Sequence, residues 1–375
     1  MGLILTKPLI WLDILDPKYA LFFQAFLPYF QEMGELLITT RKDTHYNECV
    51  NILEMFNTPY IAINAPYSAS LKDKYLARLE REKAFLKLFE TRPKPSVLIT
   101  GVSVEAVSVA YALNIPIAHF SDTPMFSDTF NREFYTKQAR LSLPLSSLII
   151  YPFVVPKKCY THLGIPKDRL IKQDFLDASL CIEYAKKNPT NLLKESLGLK
   201  NNAPIILARE EEYKASYVNK KHSLFYETME FLGSKDCEVL IVPRYDKEEL
   251  KKRFKNFKNI CVLEKTYNAF SLYALADIFI GAGGTMTLES CYLGIPTLSL
   301  RSISLFHDKF LINHNLLKHA DGLKEAQNIL ENFLSIKDYS SCKKQTHLKA
   351  QKHYKAKNLE SKIAQICKKI STLIK

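Results

Sequence analysis

Short apolar runs alternate with longer stretches of helical period along nearly the whole chain. In the first half the runs are LIWLDI (9–14), LLITT (36–40), YIAI (60–63), SVLIT (96–100), IPIAHF (115–120) and SLIIY (147–151). Helical stretches lie between them, near 19–33, 44–56, 69–90 and 102–114. The second half continues with PIILA (204–208), EVLIVP (238–243), NICVL (259–263), DIFIG (277–281) and PTLSL (296–300). Runs that are apolar throughout, separated by helices, are the mark of parallel strands covered on both faces. VLITGVSVEAVSVAYALNIPIAHF (97–120) and IFIGAGGTMTLESCYLGIPTLSL (278–300) both read strand, glycine turn, helix, x-I-P, strand. The pattern therefore predicts an α/β protein of two Rossmann-like, doubly wound parallel-sheet domains facing each other across a cleft. A short strand near 170–172 ends the first half, and the following stretch, without clear period, holds the hinge. The expected division is 1–173, 174–342 and a basic amphipathic C-terminal helix, 343–375, packing back on the first domain.

Composition adds limits. A chain of 375 residues that is 47% hydrophobic carries more apolar surface than one core usually holds. Its eight cysteines include no C-x-x-C pair, and several sit in apolar runs, as buried thiols of a reducing, cytoplasmic compartment do. The opening MGLILTKPLIWLDILD is broken by Lys7, Pro8, Asp13 and Asp16, which excludes a signal peptide or a membrane span there.

The net charge of +13 is unevenly spread. Residues 343–375 carry ten Lys and one Glu, a net +9, leaving +4 for the other 342 residues. Tyr354 is the one aromatic residue of that tail, so nucleic acid, which wants stacking aromatics on a basic face, is not an expected partner. Two readings remain for the tail: contact with an anionic membrane surface from the cytoplasmic side, or an ordinary solvated helix face.

The glycine stretch GAGGTMTLESCYLGIP (281–296) is the main candidate for chemistry. It lacks the third glycine of a dinucleotide fingerprint and the lysine of a phosphate-binding P-loop. What remains is a strand, Gly283 and Gly284, and a helix starting near Thr285, whose first-turn N–H groups point toward an anion. Glu289, about one turn in, is placed either to accept ribose hydroxyls or simply as an acid favoured by the helix dipole. Second-half strands end in bases: Arg209, Arg244, Lys265 and Arg301. Ligands of open parallel sheets bind beyond the carboxyl ends of the strands, so this edge attracts anions. At the matching edge of the first half lie Asp13 and Asp122, each a candidate general base, with strand-end capping the alternative for Asp13. His119, inside an apolar run, reads as a core histidine. No metal-ligand spacing is present.

Three stretches carry a resemblance: WLDILDPKYALFFQAF, DTPMFSDTFNREFYTKQARLSLPLSSLIIYP and YALADIFIGAGGTMTLESCYLGIP. Over about residues 9–335 the chain resembles the uncharacterised domain-of-unknown-function family number 354. That family is similar to GT-B glycosyltransferases, to the MurG-type N-acetylglucosaminyltransferase and to UDP-N-acetylglucosamine 2-epimerase. The resemblance implies that Gly283, Gly284 and Thr285 face a diphosphate, that Glu289 takes the ribose, and that Arg209 and Arg244 are strand-end arginines of the site. It also implies a nucleotide sugar as substrate, with no metal and no other cofactor. Two departures stand out. The first loop has Tyr19 and Ala20 where the family often has a histidine, and Arg209 lacks the histidine that precedes it in epimerases. The expectation is a glycosyltransferase moving sugar from a nucleoside-diphosphate, probably UDP, donor to a glycan or lipid-linked acceptor. The alternatives are a UDP-sugar 2-epimerase or hydrolase, and a non-catalytic GT-B-like binding protein at a membrane surface.

Overall fold

The computed structural model describes residues 7–42, 47–64, 70–186, 197–199, 203–210, 223–244, 246–265 and 267–374. The turn-like NPTN (188–191) and most of the EEEY that follows Arg209 lie outside these. Two compact units form: unit 1 from 1–126, 130–177 and 358–375, and unit 2 from 127–129 and 178–357.

Unit 1 holds seven strands: β1 (Leu9–Ile14), β2 (Glu35–Lys42), β3 (Ile61–Asn64), β4 (Val97–Thr100), β5 (Ile117–Phe120), β6 (Leu148–Pro152) and β7 (Leu170–Gln173). All pair in parallel, in the order β3-β2-β1-β4-β5-β6-β7. Every residue of β1 is buried, which is why its sequence shows no alternation. Leu9 and Trp11 belong to a core shared with Phe85, Val107 and Ala110 from two covering helices, Leu71–Glu90 and Val104–Ala112. The aromatic-rich stretch after β1 buries Phe22, Phe23 and Phe26 against Phe120 of β5. Each of these rings removes a large apolar area from water, the main term holding such a layer together.

Unit 2 holds β8 (Ile205–Arg209), β9 (Glu238–Val242), β10 (Ile260–Val262), β11 (Ile278–Gly281), β12 (Thr297–Ser299) and the two-residue β13 (Lys318–His319). The order is β10-β9-β8-β11-β12-β13, again parallel. Chain direction across the sheet reverses between β8 and β11, and the register there sets Gly281 opposite Arg209. Ligands of such sheets bind at this reversal, outside the carboxyl ends of the strands. The glycine turn therefore starts at the place the topology favours for a ligand.

The strand runs read from the sequence all appear, within one or two residues at most ends. β13 had no apolar run to announce it. The basic stretch 343–375 is two helices rather than one. Tyr339–His353 and Leu359–Ser371 are separated by Lys355 and Asn358, both with positive φ. The first belongs to unit 2, where Lys343 donates to the Ala276 carbonyl at 3.0 Å. The second belongs to unit 1 and buries Ile363, Ile366, Cys367 and Ile370, leaving Lys368 and Lys369 exposed. Among the described residues no helix is long and apolar enough to cross a membrane.

Candidate functional site

In unit 2 the chain leaves β11 through Ala282, Gly283 and Gly284 and enters the helix Thr285–Tyr292. Gly283 and Gly284 have φ of 86° and 85°, a region that costs other residues about 1–3 kcal/mol. Gly284 is the N-cap and has no side chain to bond the first turn. The N–H groups at the start of an α-helix have no partner within it, so this end is electropositive.

Two guanidinium groups lie against the turn. A Cβ on Gly283 would sit 2.5 Å from Arg301 Nε and 2.8 Å from its Cζ, and one on Gly284 would sit 3.9 Å from Arg244 Nη2. Gly283→Ala thus meets both a strained φ and an occupied space. The expected result is a loss of about 1–3 kcal/mol in urea unfolding. A variant as stable as wild type would show that the turn relaxes freely.

Arg209 and Glu210, at the end of β8, build the loop that carries Arg244. Arg209 Nη1 donates to the Pro243 carbonyl at 2.6 Å. Glu210 is buried, accepting from the Tyr226 hydroxyl at 2.7 Å and from the Arg244 backbone N–H at 3.2 Å. Glu210 therefore fixes Arg244, a role that sequence reasoning missed because Tyr226 and Arg244 are distant in the chain. Lys265, the fourth strand-end base, is exposed and lies over the Tyr267 ring.

Glu289 is buried one turn inside the helix, and its Oε2 accepts from the Tyr273 hydroxyl at 2.6 Å. Burial raises its pKa to about 7, against the lowering effect of that hydrogen bond. Thr285, the first helical residue, is half-buried beside it. The structure thus gathers Gly283, Gly284, Thr285, Glu289, Arg209 and Arg244 in one unit, and adds Arg301, Glu210 and Tyr273.

Unit 1 treats its two carboxylates differently. Asp13 is fully buried. Its Oδ1 takes hydrogen bonds from Arg81 Nη2 at 2.9 Å and Thr39 Oγ1 at 2.6 Å. Arg81 also pairs with Glu105 at 2.9 Å. A carboxylate with no exposure and a buried counter-ion has the geometry of a structural ion pair rather than of an open general base. Asp122 is different: its side chain is 24% exposed, and its Oδ2 lies 2.6 Å from Lys18 Nζ. Lys18 also pairs with Asp177. Burial alone would lower the Lys18 pKa; the charges of Asp122 and Asp177 outweigh it and hold the pKa well above the ordinary lysine value. His119 bonds to the Gly101 carbonyl and Ser146 Oγ, and burial lowers its pKa to about 4. It is a neutral core histidine.

Two parallel-sheet α/β units, of seven and six strands, define a GT-B-like fold, the fold of solved sugar-nucleotide epimerases and of a glycotransferase. Structural similarity agrees. The UDP-GlcNAc 2-epimerase of Neisseria meningitidis, solved bound to UDP-GlcNAc, matches with a TM-score of 0.72 and 16% identity, covering 97% of this chain and 98% of that one. The UDP-GlcNAc 2-epimerase of Methanocaldococcus jannaschii, solved with UDP-GlcNAc and UDP, matches at 0.67 and 17%, covering 91% and 99%. A glycotransferase of kitacinnamycin matches at 0.61 and 10%, covering 98% and 100%. The chain belongs to the family described as Protein of unknown function (DUF354), which matches residues 9–352. It is 28% identical over 329 residues to the uncharacterized protein MJ0665 of Methanocaldococcus jannaschii, covering 85% of this chain and 89% of that protein.

Proposed function

We propose that unit 2 binds a nucleoside-diphosphate sugar, UDP-linked, and that the protein transfers the sugar to an acceptor hydroxyl. The observation that carries this reading is the glycine turn itself: an uncapped helix N-terminus, Arg244 and Arg301 laid against it, and the buried Glu289 one turn further in. Anionic phosphates suit the first three, and vicinal ribose hydroxyls suit a carboxylate. In the reaction the acceptor oxygen bonds to the anomeric carbon, the bond from that carbon to the diphosphate oxygen breaks, and the diphosphate leaves. The N–H groups at 283–285 and the two arginines stabilise the charge that develops on it. Of the two candidate carboxylates Asp13 and Asp122, only Asp122 reaches solvent, and we assign it the acceptor's proton, with Lys18 holding it in place.

Calorimetric titration with UDP and UDP-sugars tests donor binding. Wild type is expected to bind, and Arg244→Ala to bind at least about ten-fold more weakly, the worth of one charged hydrogen bond. No heat with any nucleotide sugar, and no effect of Arg244→Ala, would sink the proposal.

A second reading, a UDP-sugar 2-epimerase, is favoured by the extent of the structural likeness to such enzymes, 97% and 91% of this chain in the two cases above. It predicts exchange at C2 of the donor, followed by NMR, with no acceptor present. The transferase reading predicts no exchange without an acceptor and loss of donor once the acceptor is supplied.

A further inference from the structure

Arg301 follows β12 and crosses to Gly283, which follows β11. Its side chain is only 12% exposed. A guanidinium carries five N–H donors and cannot shed its charge in a protein. Among the described residues one carboxylate, Asp308, receives a bond from that group, Nη1 to Oδ2 at 3.1 Å. The same Oδ2 accepts the Leu305 backbone N–H at 2.9 Å, tying Asp308 to the start of the helix Phe306–Asn313. Asp308 is therefore a fixed anchor, and a one-point anchor orients the planar group without using up its donors. Its Cδ, Nε and Cζ lie over Gly283, the last two at 2.5 and 2.8 Å from where a Cβ would sit, so only a residue without a Cβ leaves room. A mostly buried cation with one donor engaged among the described residues, held against an anion-attracting turn, is built to receive acceptor oxygens.

The order of groups along the turn says which oxygens. Glu289, on the reading of the site given above, marks the ribose. Glu289 lies four residues into the helix that starts at Thr285, about 6 Å along its axis at 1.5 Å per residue, and Gly283 stands two residues before that start, farther still from Glu289. A chain running from ribose through two phosphates spans that distance, so the group above Gly283 meets the phosphate remote from the ribose. We infer that Arg301 is a further binding residue of this site, specific for the second phosphate of the nucleotide, and that Asp308 is the positioning residue that aims it. The inference rests on the nucleotide reading of unit 2, and it adds what that reading leaves open: which side chain distinguishes a diphosphate from a monophosphate.

The test is calorimetric titration of the full chain with UMP and with UDP, for wild type, Arg301→Met, Arg301→Lys and Asp308→Asn. Wild type is expected to prefer UDP. Arg301→Met should lose about 10–100-fold in UDP affinity, with UMP affinity changed less than about three-fold. Asp308→Asn keeps an oxygen for the Leu305 N–H but loses the charge that holds Arg301, so it should lose UDP affinity selectively and to a smaller degree. Should Arg301→Met fail to fold, Arg301→Lys carries the test, since it keeps the charge but not the fork. A wild type that prefers UDP, with the same UDP-to-UMP ratio in the Arg301 variants, overturns this inference alone. A wild type that binds neither nucleotide overturns the nucleotide reading and this inference with it.

Discussion

Arg81→Met is expected to destabilise unit 1 by about 3–5 kcal/mol, the cost of removing one partner from a buried ion network. Arg81 sits on the helix Leu71–Glu90 with 1% of its side chain exposed, between Asp13 of β1 and Glu105 in the first turn of the helix Val104–Ala112. Burial works against its charge, and Asp13 and then Glu105 more than restore it, raising the pKa above the ordinary arginine value. Without the guanidinium, the Asp13 carboxylate keeps, among the described residues, only the Thr39 hydroxyl, which in turn receives the Trp11 indole N–H at 2.8 Å. Trp11 is the chain's one tryptophan and is fully buried, so its fluorescence during urea unfolding reports on unit 1. Asp13→Asn is expected to fall in the same direction. A loss below about 1 kcal/mol for Arg81→Met, the size of a surface pair, would show that the network is solvated and would reopen Asp13 to a catalytic role.

Glu289→Gln is expected to make the second large change, and to make it in opposite senses for stability and for binding. The folded pKa of Glu289, about 7, lies above the usual carboxylate value of 4.5. The folded state therefore holds the proton more tightly than the unfolded chain. That contribution is fully present below about pH 4.5 and is lost as pH rises through 7, about 3 kcal/mol in all at 1.36 kcal/mol per pKa unit. The glutamine keeps an acceptor for the Tyr273 hydroxyl and has no charge to bury. Above pH 7 the variant should be the more stable protein, and its stability should lack the decline of wild type between pH 5 and 8. Nucleotide binding should move the other way. Ribose hydroxyls favour the ionised acceptor, so wild-type affinity should rise with pH through about 7. The variant should bind about 10–100-fold more weakly above that pH, with a flat profile. Parallel pH profiles for the two proteins would remove Glu289 from the account.

Much of this was legible in the sequence, and the rest was not for identifiable reasons. The strands announce themselves because both faces of each sheet are covered and the runs are apolar throughout. The glycine turn was legible because Gly283 and Gly284 occupy a backbone region that few other residues adopt. Arg209, Arg244 and Arg301 were visible as strand-end cations, but their roles depend on register and neighbours. Arg209 grips the Pro243 carbonyl, while Arg301 reaches Gly283 across the gap between two adjacent strands. Asp13 reads from sequence equally as a general base or as a strand-end cap, because Arg81, 68 residues away, leaves no local trace. The clasp of Lys18 on Asp122 and Asp177 was hidden for the same reason. The split of the basic tail into two helices turns on Lys355 and Asn358, and a left-handed lysine has no sequence signal.

The central claim is that the turn at 283–285 and Glu289 hold a nucleoside diphosphate, and a crystal structure of the protein soaked with UDP tests it most directly. The account predicts phosphate oxygens within hydrogen-bond distance of the backbone N–H groups at 283–285, with Arg301 on the second phosphate and the ribose hydroxyls on Glu289. UDP bound elsewhere on the molecule, with the glycine turn untouched, would contradict it.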